Sequence, residues 1–516
     1  MAARVRSSLG TLIAGMLVGA SVAGQEADPQ VPQAPEASGL RRAEAMIVLD
    51  YQVIRVPDDE PIDLMGFHVH HKVAEWLYLG AGVYAPLFRG EYGGFTAWDV
   101  GAHVQQRLTS RLFATAGLFG GGGGGGRDVE QSKVLTGNGG FYKAYLGLGY
   151  DFGSFALGAN VARMKFNKST IDGTQANLFL QFPFTYLAGS YSSRGQPLPP
   201  ADARLAAEES GESMLTLVLD NFRQIDPEGS NKGTIQVADL QYAHYFARDS
   251  YWYFGVGVGY HGMPLYNHVI GGVGQRVRLA PRFSLYGQLG VGSGGYAPEV
   301  IDTDSGLLVY PRISAEYMLT KDLGLSLSAG YLAAPKGSSR NQTFGLALTH
   351  HLRSGGTRES GREPGSVPTY QAYRVSVFQQ TEFDVRYRGV DRGQLQMLGI
   401  QADAPVDDRW YLLLQAAVAY SDYLGYPGYG ELLAGVGLQS RLDPGERWQA
   451  FGQLMAGTNV HGLAGKASAG LRYVLDDRLA LNLNLGRTEA RSSTGGRFSA
   501  GSLGLGVDYR FSIPSW

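Results

Sequence analysis

The side chains able to do chemistry are few and scattered. His68, His70 and His71 fall within four residues, and imidazoles so close together could ligate a metal ion. On an extended strand His68 and His70 share a face while His71 points away, so the three do not converge. Glu299, Asp302 and Asp304 could offer oxygens to calcium, as could Asp58, Asp59 and Glu60, but solvated acidic loops account for both groups. The run Gly120–Gly126 resembles a phosphate-cradling loop. It lacks the Lys and Ser/Thr that such a loop carries into a helix, and Arg127 follows instead, so it reads as a flexible surface loop. Gly290–Gly295 and Gly457–Gly465 hold the same place in later parts of the chain. A lipid-modifying hydrolase would need Ser and His near one rim. Tyr260, His261 and His461 lie near such a rim, yet no Ser–His–acid set recurs. No catalytic residue, cofactor site or metal site is assigned.

The elements carrying these residues are shaped by an unusual composition. The 516 residues include 74 glycines, 30 tyrosines and no cysteine, which excludes disulfide scaffolds and iron–sulfur sites. Aromatics at 11% with only 17% charged residues exclude a disordered chain. A net charge of −2 gives no drive toward nucleic acid, so no such partner is expected. Past the N-terminus no run of 18 apolar residues occurs, which excludes spanning helices.

The first 23 residues read as a secretory signal: Arg4 and Arg6, the apolar run Leu9–Ala20, then the small residues Ser21, Val22, Ala23 and Gly24. Residues 24–43 read as a polar, disordered leader.

Three copies of one unit follow. Gly101-Ala102-His103-Val104-Gln105-Gln106-Arg107-Leu108 aligns with Gly272-Val273-Gly274-Gln275-Arg276-Val277-Arg278-Leu279 and with Gly435-Val436-Gly437-Leu438-Gln439-Ser440-Arg441-Leu442. Upstream, each copy has an aromatic strand start: Trp76-Leu77-Tyr78, Trp252-Tyr253-Phe254 and Trp410-Tyr411-Leu412. The units occupy residues 44–191, 213–352 and 370–516, with Pro- and Gly-bearing linkers at 192–212 and 353–369.

Each unit reads as eight strands. Leu323, Leu325, Leu327, Ala329 and Tyr331 share one face against Gly324, Ser326, Ser328 and Gly330. Leu479–Leu485 repeats the pattern, with Asn482 and Asn484 between leucines. Tight turns such as 248–250, 280–282 and 320–322 alternate with longer loops such as 226–233 and 293–306. Short turns on one side, long loops on the other and apolar residues on alternate positions describe a transmembrane β-barrel. The fold class is therefore all-β: an antiparallel up-and-down barrel of 24 strands in three eight-stranded repeats.

The C-terminal segment Gly506-x-x-Tyr509-x-Phe511 resembles the signal that bacterial outer-membrane proteins present to their insertion machinery, although Ser512–Trp516 follow the aromatic. The resemblance is to outer-membrane barrels as a class. It implies a bacterial outer-membrane location, with membrane lipid, lipopolysaccharide and the insertion machinery as partners.

The repeats could close as one 24-stranded barrel or as three small ones. Linkers of roughly 20 residues are natural between separate barrels and unnecessary within one. Many inward positions are Gly, Ala or Ser, interspersed with single charges such as Lys143, Arg312, Glu316, Arg472 and Arg510, which suits a narrow, filled interior. Three barrels similar to the small OmpA-type are expected. Arg107, Arg278 and Arg441 recur beside the short turns and could pair inside the barrel or meet lipid phosphates. The function expected is a non-enzymatic outer-membrane protein displaying surface loops. The alternatives are a porin-like channel through a single 24-stranded barrel and a lipid-modifying enzyme.

Overall fold

A computed structural model of the chain describes residues 39–126, 129–208, 211–320, 322–354, 367–443, 445–492 and 495–515. The expected signal and most of the leader, and much of the second linker, lie outside the described residues.

The strands close three times. The first barrel comprises β1 (Arg41–Ile54), β2 (Ile62–Lys72), β3 (Leu77–Ala85), β4 (Thr96–Arg107), β5 (Leu112–Gly124), β6 (Gly140–Asp151), β7 (Ala156–Phe166) and β8 (Asp172–Ala188). It closes where β1 pairs with β8, from Arg41 opposite Ala188 to Tyr51 opposite Leu178. The second comprises β9 (Gly211–Gln224), β10 (Ile235–Tyr245), β11 (Ser250–His261), β12 (Asn267–Ala280), β13 (Phe283–Gly295), β14 (Leu307–Met318), β15 (Leu323–Ala333) and β16 (Arg340–Ser354), with β9 paired to β16. The third runs from β17 (Thr369–Tyr387) through β19 (Leu395–Pro405), β20 (Trp410–Ala419), β21 (Gly430–Gln439), β22 (Trp448–Asn459), β23 (Gly462–Val474), β24 (Leu479–Arg491) and β25 (Arg497–Ser515). Its β17 pairs with β25, and the two-residue β18 (Val390–Asp391) extends β17 on the loop side. These closures exclude the single 24-stranded barrel, and with it the channel built on one.

The period of two has a direct physical outcome. Outward Leu146, Leu327 and Leu454 are 71%, 67% and 65% exposed, while neighbouring inward positions such as Lys143, Ser326 and Gln453 are buried. An apolar exterior around a polar interior inverts the arrangement of a water-soluble sheet and is the signature of a lipid-facing barrel.

Glycine makes the narrow interiors possible. A Cβ on Gly274 would lie 2.2 Å from Tyr251 Cζ, and one on Gly437 would lie 2.0 Å from Tyr411 Cζ. Tyr251 stands opposite Gly274 and Tyr411 opposite Gly437 in the ladders, as Tyr78 stands opposite His103. The repeated strand start is thus the inward tyrosine at 78, 251 and 411, and not the three tryptophans, because strand register is set by ladder pairing and tolerates turns of different length.

The glycine runs differ from the flexible loops expected of them. Gly120–Gly124 form the end of β5, and a Cβ on Gly122 would lie 2.2 Å from the Ala419 carbonyl of the third barrel. Gly94 meets Gly295 between the first and second barrels, where a Cβ would come within 2.8 Å. Gly462 lies over the Tyr260 carbonyl between the second and third. Each barrel therefore touches both others, and small residues let their walls approach, as between packed membrane segments. Elsewhere the first seam is apolar: Phe67 and Phe254 stack at 3.8 Å among Val83, Ala85, Val269 and Trp98.

Candidate functional site: barrel interiors and mouths

Inside the first barrel, Lys143 pairs with Asp50. His68 Nε2 lies 3.1 Å from Asp99 Oδ1, and His103 Nδ1 lies 2.6 Å from the Tyr145 hydroxyl. His68 and His70 face inward and His71 faces out, toward Tyr186 and the Tyr509 ring of the third barrel. Among the described residues no group of three or more His, Asp or Glu is arranged to hold a metal ion. The cavity among these side chains is about 20 Å³, room for one or two water molecules.

The second barrel is filled by two charge clusters. Arg312 donates to Gln241, Gln288 and Asp220, and His268 Nε2 meets Asp239 at 2.9 Å. Nearer the short turns, His351 lies between two carboxylates, with Nδ1 3.1 Å from Glu212 and Nε2 3.0 Å from Glu316. Only a doubly protonated ring donates from both nitrogens. Glu212 also accepts from Arg276, whose Nε reaches Asp249. A cavity of about 30 Å³ separates the two clusters.

In the third barrel, Arg374 donates to Asp403 and Gln439 while Arg472 donates to Asp508 and Gln449. Lys466 donates to Gln380 and Gln415. A cavity of about 10 Å³ lies among Ser376, Gln453, Arg472 and Asn482. Removing charges from water is costly, and these pairs offset much of that cost. The expected inward charges Lys143, Arg312, Glu316, Arg472 and Arg510 are all buried.

The mouths on the short-turn side differ. The first keeps a hollow of about 340 Å³ between Met46, Phe113 and Gln181, with Arg107 on its rim. Arg107 donates to Asp151 and to the Ser110 carbonyl. Arg278 lies beside Glu212 and Asp249, and Arg441 is exposed in the connection after β21. Arg276, two residues before the repeated position, makes the deep pair. The third mouth is covered by the segment leaving the first barrel. Gly189 pairs with Ser512, and Pro197 pairs with Thr369. Asp477 accepts from Ser190 Oγ and from the N–H groups of Tyr191 and Ser192. Burial pushes the Asp477 carboxyl up, but these hydrogen bonds outweigh it and hold it below the usual range. Arg374 donates to the Tyr191 hydroxyl, and Arg194 pairs with Asp408. The helix α1 (Pro200–Glu208) follows, its Asp202 accepting from Tyr370.

On the loop side, Asp302 is occupied in bonding the N–H groups of Asp304 and Ser338. His461 packs on Tyr387 and lies 2.6 Å from the Tyr423 hydroxyl, and burial lowers its pKa to about 4. Its neighbours are aromatic rings, with no serine among these contacts. Of the C-terminal motif, Gly506 faces inward beside Asn482 and Phe378. Tyr509 and Phe511 face His71 and Tyr186 across the seam with the first barrel. The strand continues past them to Ser515, paired to the start of β17.

No family model matches the chain, and no curated protein does. Solved structures similar to it include the outer membrane protein Ail of Yersinia pestis, at 16% identity over 28% of this chain and 99% of that one, with a TM-score of 0.21. The FrpB iron transporter from Neisseria meningitidis is 10% identical over 91% of this chain and 82% of its own, with a TM-score of 0.28. The NanC porin is 8% identical over 57% and 98%, with a TM-score of 0.17. The architecture of this chain stands on its own strand pairing and burial: three closed antiparallel barrels with apolar exteriors.

Proposed function

We propose that the protein is a non-enzymatic integral protein of a Gram-negative outer membrane. Its three filled barrels would anchor a shared surface of loops. The observation that carries this reading is the pairing of buried charges in all three interiors beneath an apolar exterior. A pore needs a continuous wet path, and ion-paired side chains at this density oppose one.

In this reading residues 1–23 are removed on export and 24–43 form a leader whose last three residues, Arg41–Ala43, already open β1. The barrel units are 44–191, 213–352 and 370–516, and the linkers 192–212 and 353–369 face the periplasm with the short turns. Gly506, Tyr509 and Phe511 would be read by the insertion machinery before the seam covers the two aromatics. Arg107, Arg278 and Arg441 would sit at the periplasmic headgroup level, and lipopolysaccharide would surround the loop side.

Planar-bilayer recording of the purified protein tests the reading. The expected trace has no steady single-channel steps, and large steady steps would overturn it. Lipid A mass spectra from cells with and without expression test the enzyme alternative, and identical spectra are expected.

A further inference from the structure

We propose that Glu382 and Glu431 hold one proton between them, making the loop-side end of the third barrel a proton-binding site.

Glu382 lies on β17 and Glu431 at the start of β21, with relative exposures of 0% and 4%. Each carboxyl has one satisfied oxygen. Gln380 donates to Glu382 Oε1 at 3.3 Å, and the Tyr429 hydroxyl donates to Glu431 Oε1 at 2.9 Å. The other oxygen of each, Oε2, is buried without a hydrogen-bond partner. The two carboxyls belong to one buried cluster: Gln380 donates to Glu382 and accepts from Lys466, whose ammonium lies beside Glu431.

The surrounding charge does not balance without a further positive charge. Lys466 on β23 lies 3.7 Å from Glu431 Oε2 and donates to Gln380 and Gln415. Two carboxylates and one ammonium leave a single negative charge. The groups bordering the pair carry no charge at neutral pH, and His461, which contacts Tyr423, is kept neutral by burial. Tyr423 and Tyr429 border it from the loop side, and Asn459 donates to the Tyr429 hydroxyl. Ser502 stands opposite Glu382 in the β17–β25 ladder, and Thr488 stands opposite Lys466. Their hydroxyls are buried and unpartnered.

Two ionised carboxylates sharing one dry cluster repel, and an unpaired buried charge is costly. One proton resolves both conditions. It satisfies an orphan carboxyl oxygen and brings the cluster of Glu382, Glu431 and Lys466 to neutrality. A metal cation fits less well, because it prefers six or more oxygens and would compete with the lysine beside it.

Infrared spectroscopy of the purified full-length protein, with glutamate carboxyls labelled by carbon-13, tests this. At neutral pH the wild type should show a protonated-carboxyl stretch that shifts in deuterated water and carries the glutamate label. That band should be lost in both Glu382→Gln and Glu431→Gln, since either leaves a single carboxylate beside Lys466. The proposal fails if the wild type shows no such band, or if the band survives in both variants. It also fails if sodium or calcium chloride abolishes the band reversibly, which would make the ligand a metal cation. Heat-modifiable migration verifies folding of each variant. Should one not fold, the other carries the comparison, and absence of the wild-type band is decisive alone.

Discussion

The ring of Tyr191, in the segment that leaves the first barrel, lies 4.2 Å from the Arg510 guanidinium on the last strand of the third. Arg374 holds the same tyrosine by its hydroxyl. A cation over an aromatic face contributes about 0.5–2 kcal/mol. Tyr191→Ala should therefore loosen the strap without unfolding the barrels. Trypsin should cut after Arg194 several-fold faster in the variant, while heat-modifiable migration stays normal. An unchanged cleavage rate would show that the ring does not hold the strap.

Asp477 makes the same strap sensitive to acid. Its carboxyl is held below its ordinary value by the hydrogen bonds from Ser190, Tyr191 and Ser192, against the effect of burial. A depressed folded value means that its stabilisation is complete above the unfolded value of about 3.9 and is lost as pH falls through the lower folded value. Amide hydrogen exchange at Tyr191 and Ser192, corrected for intrinsic rate, should stay protected from neutral pH down to about 4 and then open. Asp477→Asn should show weaker protection with no acid step. Protection independent of this residue would refute the assignment.

His351 should be among the most sensitive positions of the second barrel. Its removal leaves Glu212 and Glu316 facing each other beside Arg276. Breaking a buried charge pair on one side costs about 3–5 kcal/mol. His351→Ala should lower the urea midpoint of unfolding accordingly, and a midpoint within error of the wild type would contradict the bridge.

Gly437 should resist enlargement. Its missing Cβ leaves the space that the Tyr411 ring fills, and overpacking costs about 1–3 kcal/mol. Gly437→Ala should destabilise by about that amount, and Tyr411→Ala should recover part of the loss in the double variant. Simple additivity would mean that the two side chains do not compete for the space.

Much of this architecture is legible in the residues. Leu479–Leu485 alternates with Asn482 and Asn484, and alternation fixes which face meets lipid. Lys143, Arg312 and Arg472 announce filled interiors, because a charge on the inward face of a narrow barrel must find its partner inside. Their partners are not legible, since Asp50 reaches Lys143 across a barrel whose curvature no local pattern encodes. The Gly120–Gly124 stretch shows the limit most sharply. Glycine serves a loop, a roomy interior or a close seam equally well, and only the neighbouring Ala419 decides. The Tyr191 strap has no periodic signature at all.

That strap ties the order of synthesis to completeness. Residues 189–198 emerge early, yet their docking partners Thr369, Asp477, Arg510 and Ser512 all belong to the third barrel, three of them to its last 40 residues. A truncated chain lacking the final strand would keep its first connector undocked, with Arg194 open to periplasmic proteases. Docking in the finished barrel restrains that cut site by pairing Arg194 with Asp408, so the molecule carries its own marker of an incomplete copy.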